Sequence, residues 1–471
     1  MELTKKCKLI SQPIAGLSPN HSMKKAATAL TQGSIPKNML LFSVPLVCTN
    51  LLQVLFNMVD IAVAGHFAGT AALGSVGSTP QLLFLFTGIL MGFGSGVNVT
   101  AAYFIGSKDE KSVEQTVHTA FALCLAAGIL LMSLGIIFAR PLLTFMDTKS
   151  DLIDDAVLYF SIYMLSMPAS AIYNFGNGIF SANGDTKKPL YFLLVAGVFN
   201  VFLDLLLVIT FGMGVRGIAF ATVISQYISA ILIMIFLSKG SGKIKFVPSK
   251  IKIERQKLIK LLSVGLPAGL QNAIFAFANV FVQIGVNSFD SVMVAGTSAS
   301  ANIDPVNYNF MSAFYVAAAT FIAQNYGAGK KERVKKSYFA ALFFSFSSSI
   351  ILGTALFFFA REVMGIFSSD EAVIEYAVRR VKIMAFSYCI SSFMDTAIAS
   401  SRGFGKTLVP SAFVFLGSCV FRIAWIYTVF AHFRTIESLF LLYVFSWGIT
   451  AVFETVYFIG IYKKSFPKND L

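Results

Sequence analysis

Six ionisable side chains lie inside long apolar runs of this sequence: the acids Asp60, Asp204, Asp304, Asp395 and Glu454, and the base Arg422. A charge near the centre of a bilayer costs at least about 2.5–3.5 kcal/mol on insertion scales, so each needs a partner or a task. Asp60 is the extreme case, a lone carboxylate among about 25 uncharged residues, enough to cross a hydrocarbon core at about 1.5 Å per residue. Asp204 follows Asn200 by one helical turn in FNVFLDLLLV, which sets both on one helix face, and Thr222 lies in the middle of the next apolar run. Carboxylates, an amide carbonyl and a hydroxyl are hard oxygen ligands, suited to a proton or a small cation such as Na⁺ rather than to a soft metal. Two buried carboxylates close together cannot both ionise cheaply. Binding H⁺ or Na⁺ therefore gives a site with two charge states, which can favour two conformations. The same polar groups can instead hydrogen-bond neighbouring helices.

Pro45 shares a helix with Asp60 and removes one of its hydrogen bonds, which makes it either a hinge or a static kink. Asn174 and Asn177 either extend the ligand set or cap a helix break near Pro168. Asp304 precedes Pro305 in a run rich in Asn and Tyr, and Asp395 matches Asn174 in an internal repeat; either can face a central cavity and attract a cationic substrate. Arg422 is a candidate ion-pair partner for one of them, and Glu454 has no evident task. Enzyme signatures are lacking: there is no Walker A lysine motif and no HExxH, and His21, His66, His118 and His432 are isolated, so no catalytic residues and no organic cofactor are expected. The glycines of GFGSG (Gly92, Gly94, Gly96) sit in an apolar run and suit close helix packing better than phosphate binding. The five cysteines are scattered without CxxC spacing, which indicates neither a disulfide framework nor a metal centre beyond a coupling Na⁺.

The elements that must position these residues are transmembrane helices. With 56% hydrophobic and 13% charged residues and a mean hydropathy of +0.74, the 471-residue chain has too little polar surface for a soluble globule. Apolar windows predict an all-α membrane protein with twelve spans, at 39–65, 72–104, 117–139, 157–180, 189–211, 215–238, 258–288, 293–325, 337–360, 372–400, 408–430 and 437–462. No signal peptide is expected, since the only apolar piece ahead of the first span is short and interrupted. Lys and Arg fall on alternate sides of the spans, 27 on one side against five on the other. The positive-inside rule then puts both termini in the cytoplasm of a cell inner (plasma) membrane, and the net charge of +14 belongs to loops rather than to a nucleic-acid surface. Arg379, Arg380 and Lys382 fall on the outer side against this rule.

The chain also repeats itself. Phe138-Ala139-Arg140 recurs as Phe359-Ala360-Arg361, and Gly184, Thr186 and Pro189 recur as Gly405, Thr407 and Pro410, at one constant spacing of 221 residues. Six spans per repeat give two lobes of like orientation around a central cavity. The expected division is a cytoplasmic tail (1–36), an N-lobe (37–238), a basic linker (239–257), a C-lobe (258–462) and a short cytoplasmic tail (463–471).

FNMVD at Asp60, SANGDTKKP (Ser181 to Pro189) with its counterpart SSRGFGKTLVP (Ser400 to Pro410), NVFLD at Asn200–Asp204 and GMGVRGIAFATVISQ (Gly212 to Gln226) resemble the multidrug and toxic compound extrusion (MATE) family over nearly the whole chain after about residue 33. The resemblance implies a monomeric secondary antiporter that exports cationic or amphipathic organic compounds in exchange for H⁺ or Na⁺, a task tied to antibiotic resistance. In the DinF-like branch it implies a cation site on Asp60, Asn200, Asp204 and Thr222, with Asn177 nearby and Pro45 bending the first helix. The NorM-like branch carries acids where this chain has Ala276 and Ser391, which argues against a second-lobe cation site of that type. A flippase for a lipid-linked oligosaccharide or cell-wall precursor is the rival; such proteins usually have more spans and cationic cavities.

Overall fold

The computed structural model describes residues 30–146, 148–150, 152–240 and 244–466. The expected N-terminal tail falls largely outside them, as do Cys7, His21 and the last five residues. Among the described residues the chain is helical, with no strand. In order, the helices are α1 (Ile35–Ala68), α2 (Thr70–Gly77), α3 (Pro80–Gly106), α4 (Glu110–Phe145), α5 (Ile153–Met164), α6 (Met167–Ala182), α7 (Lys187–Thr210) and α8 (Gly214–Lys239). They continue as α9 (Arg255–Asn287), α10 (Ser291–Ala301), α11 (Asp304–Gly327), α12 (Lys331–Phe358), α13 (Ala360–Gly365), α14 (Glu371–Gly403), α15 (Leu408–Phe433) and α16 (Ile436–Ser465).

Ten of these helices are long and apolar enough to cross a membrane, and α5 with α6, bent by 45° at their junction, makes an eleventh span if counted as one. The bend falls where Pro168 enters the first turn of α6, since its ring lacks the N–H that would continue α5. The expected eighth span is broken in the same way. α10 ends at Ala301, and α11 restarts with Pro305 in its first turn. Side chains such as Asn307, Gln324 and Asn325 leave α11 too polar to count by composition, and these three are buried against other helices. Outward faces are apolar: Leu130, Ile137, Ile351 and Val452 stand exposed, as expected where the surrounding solvent is lipid.

Helix starts follow local chemistry. Asp109, Asp290 and Asp370 accept the backbone N–H groups of Ser112, Met293 and Ala372 and so cap α4, α10 and α14. Hydrogen bonding from Ser112 holds the Asp109 carboxyl below the usual carboxylate range. The described part of the linker from residue 244 on is tied down: the Val247 N–H donates to His118 Nε2 at 3.1 Å, the Glu254 N–H donates to Thr119 Oγ1 at 3.1 Å, and Lys250 pairs with Glu114 at 2.6 Å. His118 thus has the structural role expected of an isolated histidine.

The two parts of the chain meet along a seam where α3 crosses α9 and α11, and α1 crosses α11. Glycines permit the contact. A side chain at Gly92 would strike the backbone of Gly269, and one at Gly96 would come within 2.8 Å of the Gly265 nitrogen, so two of the GFGSG glycines serve close packing as the sequence suggested. Gly94 serves the same close packing against α6, where the place of a Cβ lies 3.0 Å from the Asn174 carbonyl oxygen. Polar groups lock the same seam: Thr320 Oγ1 donates to Asn98 Oδ1 (2.9 Å), Asn50 Nδ2 to Ser312 Oγ (2.9 Å), and Gln324 Nε2 to the Ala182 carbonyl (2.5 Å).

Candidate functional site

α1 packs on α7, α7 on α8, and α5 on α8. Asp60 and Asp204 each lie just ahead of a π turn, Ala64–Ala68 in α1 and Leu206–Thr210 in α7. π turns widen a helix and recur at functional sites. Asp60, Asn200, Asp204 and Thr222 are all buried and turned toward one another. Thr222 Oγ1 lies 3.3 Å from Asp60 Oδ2 and donates to it.

Little else satisfies these groups. Asp60 Oδ1, both Asp204 carboxylate oxygens and Asn200 Nδ2 are buried without a hydrogen-bond partner among the described residues. Buried polar atoms are rarely left so, and an unpartnered buried carboxylate is among the costlier exceptions. Three orphaned oxygens facing one another fit a proton shared between the two carboxyls or a small hard cation between them. Among the described residues no cluster of three or more His, Cys, Asp or Glu side chains suits a heavier metal. Tyr159 and Tyr163, one turn apart on α5, lie close enough for the charge of Asp60 to act on both hydroxyls. Sequence reasoning missed them; the available signal was their i, i+4 spacing on a short helix in the same repeat. A groove of about 250 Å³ opens at this end of the helices, between Ala68, Asp155 and Arg216.

Of the other expected residues, Asn177, Asn174 and Asp395 have hydrogen-bond partners of their own. Asn177 accepts a hydrogen bond from Ser181 at 3.4 Å, and Asn174 donates to the Ser170 carbonyl at 2.9 Å, both within α6. No hydrogen bond among the described residues joins either to the four. Pro45 is buried in α1, which runs on through it, and Thr49 Oγ1 donates to the Pro45 carbonyl at 2.8 Å. Asp395 on α14 accepts from Ser391 at 2.6 Å. Glu454 on α16 is fully buried with both oxygens unpartnered, within electrostatic reach of Asp395 and Arg402.

Asp304, itself partly exposed, is bound in an ion pair with the buried Arg380, 2.5 Å from its Nη2. This pair accounts for the basic cluster on the unexpected side of the membrane: Arg380 neutralises Asp304, Arg379 pairs with Glu375 at 2.9 Å, and Lys382 lies over the Phe357 ring. Arg422 pairs with neither Asp304 nor Asp395. Arg380 is buried, so Asp304→Leu strands its guanidinium and is expected to cost about 3 kcal/mol of stability. The double variant Asp304→Leu with Arg380→Leu should recover most of that loss, and thermal unfolding of the purified variants in detergent distinguishes the two. Equal loss in both variants would show that the pair itself contributes nothing specific.

Comparison with known proteins agrees with this architecture. The family model described as MatE matches residues 45–206 and again 267–428, so its two copies begin at Pro45 and Pro267. The chain is similar to the probable multidrug resistance protein YoeA of Bacillus subtilis, at 27% identity over 391 residues, 80% of this chain and 83% of that one. It is also similar to the probable multidrug resistance protein NorM of Thermotoga maritima, at 27% identity over 417 residues, 85% of this chain and 87% of that one. Its fold matches a crystal structure of MATE in the straight conformation with a TM-score of 0.87 at 19% identity, covering 94% of this chain and 99% of that one. A family model matched twice, over more than half the sequence, is decisive, and the chain belongs to the MatE family.

Proposed function

We propose that this protein is a secondary multidrug efflux antiporter, exporting cationic or amphipathic organic compounds by alternating access in exchange for H⁺ or Na⁺. The observation that carries this reading is the buried Asp60–Asp204 pair, with three carboxylate oxygens that lack hydrogen-bond partners among the described residues. Twelve spans would form an N-lobe (37–238) and a C-lobe (258–462) around a central cavity, joined by the linker 239–257, with both termini in the cytoplasm. α5 with α6 would supply the fourth span and α10 with α11 the eighth. Asp60, Asn200, Asp204 and Thr222 would form the ion site as in the DinF-like branch, in a protein that works as a monomer.

Ion entry would remove the repulsion between the two carboxylates and favour the arrangement of α1, α7 and α8 that releases substrate outward. Ion release to the cytoplasm would favour reloading. The ion can drive this only by its differential affinity for the two states, and substrate must act back on ion affinity by the same factor. The test is uptake of ethidium into proteoliposomes under a pH gradient with Na⁺ absent, and separately under a Na⁺ gradient with pH clamped. Accumulation under one gradient, abolished by the matching ionophore, is expected; accumulation under neither would overturn the antiport reading.

A further inference from the structure

The ion site of the first repeat has a counterpart of opposite charge in the second. The two family matches start 222 residues apart, at 45 and 267, and end 222 apart, at 206 and 428, a register one residue longer than the 221 of the loops. On that register Asn57 corresponds to Asn279, Asp60 to Val282, Asn200 to Arg422 and Asp204 to Ile426. Both acids are lost and a guanidinium enters. On the 221-residue spacing of the loops, Tyr159 likewise corresponds to Arg380. Two of these counterparts meet in the fold: Arg422 Nη1 donates to Asn279 Oδ1 at 2.8 Å, and Tyr443 OH donates to the same oxygen at 3.2 Å.

Arg422 is 1% exposed, so it is a cation removed from water. Its partners are neutral: Asn279, Ser446 Oγ at 3.4 Å from Nε, and the face of Tyr443 with its centroid 4.4 Å from Cζ. No carboxylate lies within ion-pair distance of it among the described residues. The guanidinium cannot shed its proton to escape this cost. Asp304 is engaged by Arg380, whose own Nε is buried without a partner among the described residues. Tyr443 stands within electrostatic reach of Arg422, Arg380 and Asp304, so the pocket sets two guanidinium charges against one carboxylate. A buried charge left uncompensated is strongly destabilising, whereas an arginine fork that meets a carboxylate or phosphate oxygen gains charge-assisted hydrogen bonds. Asn279 itself is exposed, and the Tyr443 ring beneath the guanidinium has its centroid 5.2 Å from that of Trp447.

We propose that the Arg422 pocket binds the anionic group, carboxylate or phosphate, of an amphipathic aromatic molecule, with the guanidinium gripping the anion and Tyr443 and Trp447 packing on the ring. This assignment is independent of the ion-coupling reading, because binding to it needs no gradient.

The chain's two tryptophans report on the pocket: Trp425 lies one turn after Arg422, and Trp447 is next to Ser446. The purified full chain in nanodiscs is titrated with benzoate, with inorganic phosphate and with benzylammonium, reading tryptophan emission excited at the red edge. Benzoate is expected to give a saturable change, benzylammonium none, and phosphate a weaker change that competes with benzoate if the anion alone suffices. Arg422→Gln should weaken benzoate binding at least tenfold. Asn279→Asp keeps an oxygen acceptor for Arg422 and supplies the missing counter-charge, so it should fold at least as well as the parent and also lose at least tenfold in benzoate affinity. No saturable response to benzoate in the parent protein, stronger binding of benzylammonium, or unchanged benzoate affinity in Asn279→Asp would each overturn the assignment.

Discussion

Gradient-driven uptake in proteoliposomes is expected to fall to the background of protein-free vesicles when Asp60 is replaced by asparagine, while the variant elutes and unfolds like the parent. Asparagine preserves volume and leaves a carbonyl oxygen for Thr222, which now lies 3.3 Å from Asp60 Oδ2. It cannot change charge, so the site is left with one titratable carboxyl, Asp204, and no repulsion for an ion to relieve. Moving a two-state equilibrium from one side to the other takes about 5.5 kcal/mol of differential binding, and a site without its second charge has little to offer toward that. Asp204→Asn should behave alike, and the double variant should be no worse than either single one, because the two acids act as a unit. Thr222→Val removes a single neutral donor, worth about 0.5–1.5 kcal/mol, and should slow uptake by roughly tenfold or less. Full uptake by Asp60→Asn would remove the coupling role from this pair.

Asp60 and Asp204 were legible because an acid inside an apolar run has few physical solutions, and the Asn200–Asp204 spacing fixes a shared helix face without tertiary information. The π turns beyond the two acids were not, because a five-residue widening leaves the apolar pattern unchanged. Tyr159 and Tyr163 were missed because tyrosine in a membrane helix is ordinary at an interface, and only the packing of α5 on α8 turns these two inward. The Arg380–Asp304 pair joins residues 76 positions apart, beyond any local rule. Helix number was legible where composition is uniformly apolar. It blurred at the eighth span, where buried contacts to Asn307, Gln324 and Asn325 permit a polarity that hydropathy reads as a poor span. The breaks before Pro168 and Pro305 follow from the missing N–H, yet the sequence alone does not say whether a proline bends a helix or divides it, since Pro45 and Pro267 lie within helices that continue.

The second large effect is expected at Gly106, where the repeats touch at the end of the molecule bearing the basic loops. A side chain at Gly106 would overlap the carbonyl of Gln324, and one at Gly327, its counterpart 221 residues on, would overlap the carbonyl of Tyr103. Each glycine thus accommodates the backbone of the opposite repeat, and Gln324 reinforces the contact through its bond to the Ala182 carbonyl at 2.5 Å. Under the alternating access proposed above, this seam would part for substrate to enter at this end. A bulky residue there penalises the sealed state and leaves the parted state alone. Overpacking of this kind costs about 1–3 kcal/mol, a shift of about five- to 150-fold in the ratio of the two states. Gly106→Leu should therefore hold the protein open at this end and suppress turnover, even with the ion site intact. Spin labels at the exposed Lys111 and Lys335 give the readout. A longer distance population in Gly106→Leu, with uptake reduced, is the expected result, whereas an unchanged distance distribution with full uptake would mean that these glycines pack a permanent joint and the moving seam lies elsewhere.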